Sequence, residues 1–364
     1  MRYEKCDLPS YPLQYDMWDA IAEEKRPIVV YGMGNGADKL IERLEKYNVK
    51  ISDFFASDGF VRGHTFHGMR VKSFSEIKET YDDFVILLSF ASNRPDVLEM
   101  LEHINAQYDM YVPDMPVTGE EYFDRSFFNE NYDSILRAYN SFDDEESKNA
   151  FASIINYKLS GRMGYLINSY SEKHELYGEL NEKRVSAVID AGAYNGDTLR
   201  EAIEYFPHLE SVIAIEPDPK NYKKLEKYVA TLDAPKVTAV NAAVYRSNGG
   251  GEFISSGNRN SSISSTSSYQ HKDTAVSLIS VDSLSANADY IKYDVEGAEL
   301  DALIGSKETI ERCHPTLLVS LYHRSRDIFE ITNYLREEYP FYKMKLRRLK
   351  CLPAWEIDLL LFDT

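Results

Sequence analysis

The residues best suited to chemistry are acids that follow predicted strands in the second half of the chain. Asp190 ends one predicted strand, Glu216 follows the next strand, and Asp294 follows a later one. The carboxyl ends of parallel strands meet at one edge of a sheet, and ligands bind in the crevice outside that edge. Three acidic strand ends at the same edge therefore predict a ligand-binding site.

The strand that ends at Asp190 leads into a turn with the composition of a cofactor site. Its candidate cofactor-binding residues are Asp190, Gly192, Tyr194, Asn195, Gly196, Asp197 and Thr198. Gly192 and Gly196 allow the backbone to turn sharply and to approach a ligand. We expect Asp197 to cap the following helix, at the place where a bare helix N-terminus would hold a phosphate. Because these acids repel phosphate and complement sulfonium and ammonium groups, the turn favours S-adenosylmethionine over a dinucleotide.

The neighbouring strand ends supply the rest of the predicted cofactor site. Glu216 lies 216 − 190 = 26 residues after Asp190, where a carboxylate can accept hydrogen bonds from both hydroxyls of a ribose. Small side chains after the next strand suit the edge of an adenine ring. The remaining candidate cofactor-binding residues are Glu216, Pro217, Asp218, Asn241, Ala242, Ala243 and Asp294.

At these motifs the sequence resembles the FkbM-family methyltransferases. The segments that carry the resemblance are 190–198, 216–218, 281–284, 291–299 and 322–323. The Asp-Val-Glu-Gly-Ala-Glu run that begins at Asp294 is the most specific of them, and the whole resemblance covers about Val185 to Phe362. The resemblance implies O-methylation of a sugar, a polysaccharide precursor or a related biosynthetic intermediate, with S-adenosylmethionine as the methyl donor. Longer members of the family are similar in having a nucleotide-binding-like N-terminal domain.

An alcohol acceptor must lose its proton when it is methylated, and three residues are candidates for that step. His323 follows the fifth predicted strand of the second half, and imidazole titrates near neutral pH, so His323 is the first candidate for the general base. Glu296 is the second candidate. Together with Asp294, these residues could instead hold a divalent cation that acidifies the hydroxyl. A structural role for His323, bonded to loop backbone, is equally open.

Two arrays of strands alternating with helices predict an α/β fold with parallel sheets. The first array spans 26–118 and the second 185–364, after an N-terminal extension (1–25) and with a helical connector (119–184) between the arrays. The last two predicted strands, Tyr342–Leu346 and Ile357–Phe362, are joined by a turn too short for a crossover, so they must pair antiparallel. We therefore expect a Rossmann-like seven-stranded methyltransferase fold with an antiparallel last strand, preceded by a smaller Rossmann-like α/β domain. The serine-rich segment 255–268 predicts a surface loop near the active-site edge.

The N-terminal array carries a motif that supports a second hypothesis. Tyr31 to Ala37 follows a predicted strand and precedes a helix, and it fits the dinucleotide-binding pattern with Gly32, Gly34 and Ala37 as the three small residues. Asp58 follows 58 − 36 = 22 residues after Gly36. An NAD- or nucleotide-sugar-binding protein or oxidoreductase is therefore the alternative. Against it, Asp38 disfavours a phosphate at this turn, which leaves a scaffold for substrate or partner recognition as the other reading. His64 and His67 nearby indicate a tight loop between strands rather than a metal site.

Composition narrows the classes of partner. The formal net charge is −18, which disfavours nucleic acid as a partner and leaves a small-molecule or glycan-type acceptor. The three cysteines are scattered, and no leader-like or membrane-spanning apolar segment is found in the sequence, so we expect a cytoplasmic protein. Association of copies of the chain is left open.

Overall fold

The computed structural model describes residues 5–61, 63–167, 169–180, 184–254, 262–263 and 273–363. The first array contains α1 (Met17–Glu23), β1 (Ile28–Tyr31), α2 (Asn35–Lys46), β2 (Asp53–Ala56), β3 (Thr65–Phe66), β4 (Met69–Arg70), β5 (Lys72–Ser73), α3 (Phe74–Thr80), β6 (Val85–Leu88), α4 (Pro95–Asn105) and β7 (Asp109–Tyr111). Five of its strands form a parallel sheet in the order β5-β2-β1-β6-β7.

The central strands of this sheet are apolar because both of their faces are covered. Every residue of β1 and of β6 is buried, as a parallel strand between two layers of helices requires. The short strands β3 and β4 form a hairpin whose two-residue loop is His67-Gly68, both with positive φ. This loop confirms the tight turn that the sequence predicted near His64 and His67. Arg62, which precedes these histidines, lies outside the described residues.

Helices connect the two arrays and pack into the core. They are α5 (Arg125–Asn140), α6 (Glu145–Ser160), α7 (Gly164–Ile167) and α8 (Lys173–Leu180). Asp124 and Asp144 accept hydrogen bonds from the first turns of α5 and α6, which fixes where these two helices begin. The aromatic side chains of Phe128, Phe151 and Tyr157 are completely buried. The connector is therefore helical and packed.

The second array begins after the connector. It contains β8 (Ala187–Ala191), α9 (Asp197–Tyr205), β9 (Ser211–Ile215), α10 (Pro219–Val229), β10 (Lys236–Val240), β11 (Ala243–Val244), β12 (Gly249–Ile254), β13 (Ser262–Ile263), β14 (Asp273–Ile279), β15 (Tyr290–Tyr293), α11 (Glu299–Ile304), α12 (Lys307–Cys313), β16 (Thr316–Ser320), α13 (Asp327–Glu338), β17 (Tyr342–Arg348) and β18 (Ile357–Asp363). Seven strands form one sheet in the order β10-β9-β8-β15-β16-β18-β17.

This sheet has the predicted architecture. Strands β10, β9, β8, β15 and β16 run parallel, and β18 is antiparallel to both β16 and β17. The strand order reverses between β8 and β15, where Asp190 pairs with Lys292. This reversal is the topological switch point at which open α/β sheets bind ligands. The fold is thus a Rossmann-like methyltransferase sheet preceded by a smaller parallel α/β array.

Two features of the second array were not anticipated. Strands β11, β14, β12 and β13 form an additional four-stranded sheet. After β15 the chain also forms two short helices in succession, α11 and α12, which are divided at Gly305, the C-cap of the first, and Ser306, the N-cap of the second. Of the serine-rich segment, 262–263 belong to β13 and the rest lies outside the described residues. No helix among the described residues is both long and apolar enough to cross a membrane.

Candidate active site

A cavity of about 570 Å³ opens at the carboxyl edge of the seven-stranded sheet. Its walls come from three parts of the chain. The second array contributes the strand ends, the connector contributes Tyr170 to Lys173, and the first array contributes Asn93, Pro95 and Leu98. A site of this size, at the switch point of an α/β sheet, has the dimensions of a small-molecule pocket.

Gly192 allows two strand ends to meet at the floor of this cavity. Its φ is +94°, and a Cβ atom built there would lie 1.8 Å from the carbonyl oxygen of Asp294. Only glycine fits such an approach in a left-handed conformation. The turn after β8 therefore sits directly against the end of β15, and the residues of both loops share the cavity.

The carboxylate of Glu216 is held rigidly at the end of β9. Its Oε2 accepts a hydrogen bond of 2.9 Å from the Tyr194 amide, and its Oε1 accepts one of 2.8 Å from the Asp218 amide. Burial raises the pKa of Glu216 to about 8 in spite of these two donors. Because each carboxylate oxygen has two lone pairs, both oxygens can accept a further hydrogen bond from a ligand in the cavity.

Asp190 lies beneath the cavity, where it organises the floor. Its Oδ2 accepts a hydrogen bond from the Thr198 hydroxyl, and its Oδ1 is buried without a hydrogen-bond partner. Burial raises the pKa of Asp190 to about 6, although the neighbouring Lys292 ammonium opposes that rise. Lys292 Nζ in turn lies 3.0 Å from Asp294 Oδ2, so one buried cation bridges the two strand-end acids.

His323 is enclosed by acids on both sides of its ring. Nε2 lies 3.4 Å from Asp294 Oδ1 and 3.5 Å from Glu296 Oε2, while Nδ1 lies 2.9 Å from Glu299 Oε1. The Nδ1–Glu299 pair is a close ion-pair contact, but its geometry is too bent for a hydrogen bond, and Nδ1 has no hydrogen-bond partner. We call these four residues the His323 cluster. The described residues thus place a histidine and three carboxylates together at the wall of the cavity.

The members of the His323 cluster differ in their pKa values. Burial lowers the pKa of His323, but Glu299, Glu296 and Asp294 together raise it to about 10. Burial raises the pKa of Glu296 to about 8. Burial also raises the pKa of Asp294, yet Lys292 and His323 outweigh it and hold that pKa below the ordinary value. Without another cation nearby, His323 is therefore protonated at neutral pH and has no free nitrogen to accept a proton.

The cavity brings together most of the predicted site residues. The predicted residues that line it are Gly192, Tyr194, Asp197, Thr198, Glu216, Pro217, Ala242, Ala243, Asp294, Glu296 and His323. The predicted residues that are not part of its lining are Asp190, Asn195, Gly196, Asp218 and Asn241. Asp218 caps α10, and the Asn241 side chain donates to the backbone carbonyl of Glu216, so these two support the wall from behind.

The expected capping role of Asp197 is wrong. The N-cap of α9 is Gly196, with φ +86°, and Asp197 is the first residue of the helix. Its carboxylate accepts a hydrogen bond from the Thr198 amide, one of the donors left without a helical partner at the start of the helix, but it does so from the first helical position and not from the N-cap. The charge is still at the helix N-terminus, where it complements the helix dipole.

Several residues of the site were missed by the sequence interpretation. Lys292 had a readable signal, because a lysine inside a strand buried on both faces requires a carboxylate partner. Glu299 at the start of α11 had no such signal. The other missed lining residues come from the connector and the last hairpin, and they include Tyr170, Glu172, Lys173, Trp355, Glu356 and Asp358. Their positions depend on tertiary packing, which no local pattern reports.

Two glycines of the N-terminal motif allow a close contact with the segment that follows β6. A Cβ atom at Gly32 would lie 2.7 Å from Ser89 Oγ, and one at Gly36 would lie 2.1 Å from the Ser89 carbonyl oxygen. Asp58 accepts a 2.7 Å hydrogen bond from the Ser75 hydroxyl. Asp38 contacts His67 at 2.8 Å. Gly32 and Gly36 are thus explained by the close approach of the segment after β6, whereas Gly34 has a φ of +103° and no atom within 4 Å of its Cβ position.

Comparison with known proteins agrees with this geometry. Residues 190–341 match the family model of the methyltransferase FkbM domain. The crystal structure of methyltransferase FkbM from Methylobacillus flagellatus KT matches with a TM-score of 0.69 at 19% sequence identity, covering 93% of this chain and 90% of that chain. At this identity the likeness concerns the fold, and it extends over both arrays and the connector. No curated protein sequence matches the chain.

Two further solved structures match the chain over about half its length. An rRNA methylase from Streptococcus thermophilus has a TM-score of 0.34 at 12% identity, covering 52% of this chain and 93% of that one. Precorrin-6y C5,15-methyltransferase from Geobacter metallireducens GS-15 has a TM-score of 0.34 at 10% identity, covering 54% and 93%. At such TM-scores neither likeness carries an argument about function.

Proposed function

We propose that residues 190–341, which match the family model of the methyltransferase FkbM domain, form a domain that uses S-adenosylmethionine to methylate a hydroxyl oxygen of an uncharged, hydroxyl-rich acceptor such as a sugar. The observation that carries the proposal is the single cavity at the carboxyl edge of the sheet. Acids from two strand ends, Glu216 and Asp294, line it together with the His323 cluster. One side of the cavity thus suits the cofactor, and the other suits a hydroxyl.

The residues at the ends of β8 and β9 fit S-adenosylmethionine. Glu216 presents two oriented oxygens to the cavity, as the two hydroxyls of a ribose require, and Ala242 and Ala243 leave room for a flat ring. Asp197 lines the same wall and complements the positive charges of the cofactor. When bound, S-adenosylmethionine supplies the methyl group, whose bond to sulfur breaks as the bond to the acceptor oxygen forms, leaving a neutral thioether.

We assign removal of the acceptor proton to Glu296, which can accept a proton when it is ionised, above its pKa of about 8. Its carboxylate lines the cavity, and its side chain is 27% exposed, whereas the side chain of His323 is 1% exposed and both ring nitrogens face carboxylates. A protonated ring in that position orients Glu296 and Asp294 instead of accepting a proton. The general base thus moves from His323, the first candidate, to Glu296, the second. Positioning of the acceptor hydroxyl against these groups supplies the rest of the rate enhancement.

The charge of the cavity wall selects the acceptor. Its acidic lining residues are Glu172, Asp197, Glu201, Glu216, Asp294, Glu296, Glu356 and Asp358. The lining lysines are all paired: Lys173 lies 2.5 Å from Glu201, Lys292 lies 3.0 Å from Asp294, and Lys350 lies 3.3 Å from Glu102. A phosphorylated acceptor, including a nucleotide sugar, would meet a wall that carries more acidic than basic side chains. A neutral polyol would find many hydrogen-bond acceptors.

The NAD-dependent alternative gains no support. Two glycines of the turn that suggested it, Gly32 and Gly36, pack closely against Ser89, and the family match lies in the other array. We propose instead that the first array completes the acceptor side of the cavity, through Asn93, Pro95 and Leu98. This assignment agrees with the scaffold reading of the N-terminal motif.

The test is release of S-adenosylhomocysteine during incubation with paired acceptors. Each pair consists of a neutral glycoside and its phosphate ester, so the two differ only in charge. Turnover with neutral members and little or none with their phosphate esters supports the proposal. Preferential turnover of the phosphorylated members would overturn the acceptor class, and transfer of the methyl group to nitrogen or carbon would overturn the reaction.

A further inference from the structure

The His323 cluster has buried polar atoms that its own residues do not satisfy. Glu296 Oε2, Glu299 Oε2 and His323 Nδ1 are all buried without a hydrogen-bond partner. The Glu299 and His323 side chains are 0% and 1% exposed, so solvent does not reach them. Buried polar groups in folded proteins are nearly always bonded. Of the three, Glu296 Oε2 lies 3.5 Å from His323 Nε2, and it is the atom that an ion bound on that side of the ring would satisfy.

The distances on one side of the imidazole ring fit a metal ion. Nε2 lies 3.4 Å from Asp294 Oδ1 and 3.5 Å from Glu296 Oε2, which is longer than an ordinary hydrogen bond of about 2.7–3.2 Å. Ligand atoms at about 2.1 Å from a tetrahedral cation lie about 3.4 Å from one another. The two separations therefore equal the edges of such a coordination shell.

The other side of the ring has the arrangement of an outer-shell partner. Glu299 Oε1 lies 2.9 Å from Nδ1, and it is fixed by hydrogen bonds from the amides of Val295 and Gly297. Histidines that bind metals through one nitrogen commonly direct the other nitrogen at a carboxylate, which sets the tautomer and the ring orientation. The backbone thus holds Glu299, and Glu299 directs the ring.

We propose that the His323 cluster binds one divalent cation of the Mn²⁺ or Zn²⁺ class, through His323 Nε2, Asp294 Oδ1 and Glu296 Oε2. An imidazole ligand favours these ions over Mg²⁺ and Ca²⁺, which prefer sites made only of oxygen. The potential ligand atoms that already lie within 4.8 Å of one another belong to Asp294, Glu299 and His323, so the Glu296 carboxylate must turn toward Asp294 to complete the proposed site. Glu299 is not one of the proposed ligands; it contacts Nδ1, on the other side of the imidazole ring.

The catalytic consequence rests on the proposed function. A cation at this wall of the cavity would bind the acceptor hydroxyl and make its proton more acidic. The proton then passes to the second carboxylate oxygen of Glu296, since one oxygen is enough to ligate the cation. The cation also replaces the proton on His323, because a ligating imidazole is neutral. The overall reaction still releases one proton for each methyl group transferred.

Binding is measured with Mn²⁺ alone, by the loss of the free-ion paramagnetic resonance signal on titration into protein dialysed against chelator. We expect one Mn²⁺ per chain, displaced by Zn²⁺. Glu299→Gln should weaken binding roughly 10–100-fold as an outer-shell substitution, and Glu296→Gln at least as much. Glu337→Gln, an exposed acid on α13, is the matched control and should bind like the wild type. Melting temperatures establish that each variant is folded.

The outcomes separate this inference from the proposed function. Absence of stoichiometric Mn²⁺ or Zn²⁺ binding overturns the inference, because the cluster then holds a proton or water. Binding that survives both Glu296→Gln and Glu299→Gln also overturns it, because the ion then lies elsewhere. S-adenosylhomocysteine binding, measured on the chelator-treated protein, reports on the proposed function alone. Mn²⁺ binding without S-adenosylhomocysteine binding would support the cation site and contradict the methyltransferase cofactor assignment.

Discussion

Substitution of Gly192 by alanine tests how the floor of the cavity is built. The added methyl group would lie 1.8 Å from the Asp294 carbonyl oxygen, and ordinary contacts of this kind begin near 3.4 Å. The two strand ends must therefore separate by at least 3.0 − 1.8 = 1.2 Å to reach even the tightest tolerated contact. Both loops line the cavity, so their separation changes the cofactor wall and the His323 cluster together.

The size of the effect follows from conformation and displacement. Alanine at φ +94° costs about 1–2 kcal/mol relative to glycine, and moving the end of β15 adds to that cost. We expect Gly192→Ala to lower the free energy of unfolding by about 2 kcal/mol or more. Affinity for S-adenosylhomocysteine should fall at least tenfold, because a misplacement of about 1 Å in a pre-organised site can cost roughly a hundredfold in rate.

Urea denaturation and calorimetric titration measure the two effects. The control is Gly178→Ala, since Gly178 lies on an exposed face of α8 with no atom within 4 Å of its Cβ position. This control should gain about 0.5–1 kcal/mol from helix propensity and keep its affinity. The reasoning is refuted if Gly192→Ala unfolds and binds like the wild type, because the close approach of the two loops would then be absent.

Three further substitutions probe other parts of the site. Burial raises the pKa of Glu216 to about 8, so this carboxyl is protonated below that pH and ionised above it. The affinity for a cationic cofactor analogue should therefore rise from pH 7 to pH 9 in calorimetric titrations. Glu216→Gln should remove most of that rise. Lys292→Met leaves Asp190 and Asp294 without their buried cation, so urea denaturation at pH 8 should show a loss of about 3–5 kcal/mol. Arg348, 1% exposed, donates to four backbone carbonyls, so Arg348→Leu should lose at least about 3 kcal/mol.

Matched controls set the baseline for these stability losses. Lys343→Met replaces an exposed lysine of the same sheet, and Arg94→Leu replaces an arginine whose only described ion pair, with Asp96, is two-thirds exposed. Both should change the free energy of unfolding by less than about 1 kcal/mol. A loss in Lys292→Met or Arg348→Leu no larger than in its control would contradict the account. If the affinity of Glu216→Gln for the cationic analogue depends on pH as the affinity of the wild type does, the reasoning about Glu216 is contradicted.

Much of the fold could be predicted because its signals are local. Apolar runs such as Val85–Leu88 can only be strands buried on both faces, and the short loop between β17 and β18 forces an antiparallel pair. The acids at the strand ends were readable for the same reason, since parallel topology alone brings Asp190 and Asp294 to one edge. The fold class was confirmed, and the family model of the methyltransferase FkbM domain matches residues 190–341.

The parts that could not be predicted depend on contacts between distant segments. Nothing near Trp355 in sequence shows that the last hairpin meets the first array at the cavity; an isolated bridge between Ser92 and Leu352 makes that contact. The electrostatic surroundings of His323 could not be predicted for a related reason. Its neighbourhood in sequence suggests an ordinary imidazole, while Glu299, which lies 24 residues earlier (323 − 299) but 2.9 Å away, raises its pKa far above the ordinary range.

The most direct test of the central claim compares two cofactor analogues that differ in charge. S-adenosylhomocysteine carries a neutral sulfide, and sinefungin carries an ammonium group at the position of the methylated sulfonium. Acids at Asp197, Glu216 and Asp294 predict that calorimetric titration at pH 8 will show both ligands binding, with sinefungin the tighter, and no binding of NAD. Binding of NAD in the absence of binding by either analogue would contradict the account.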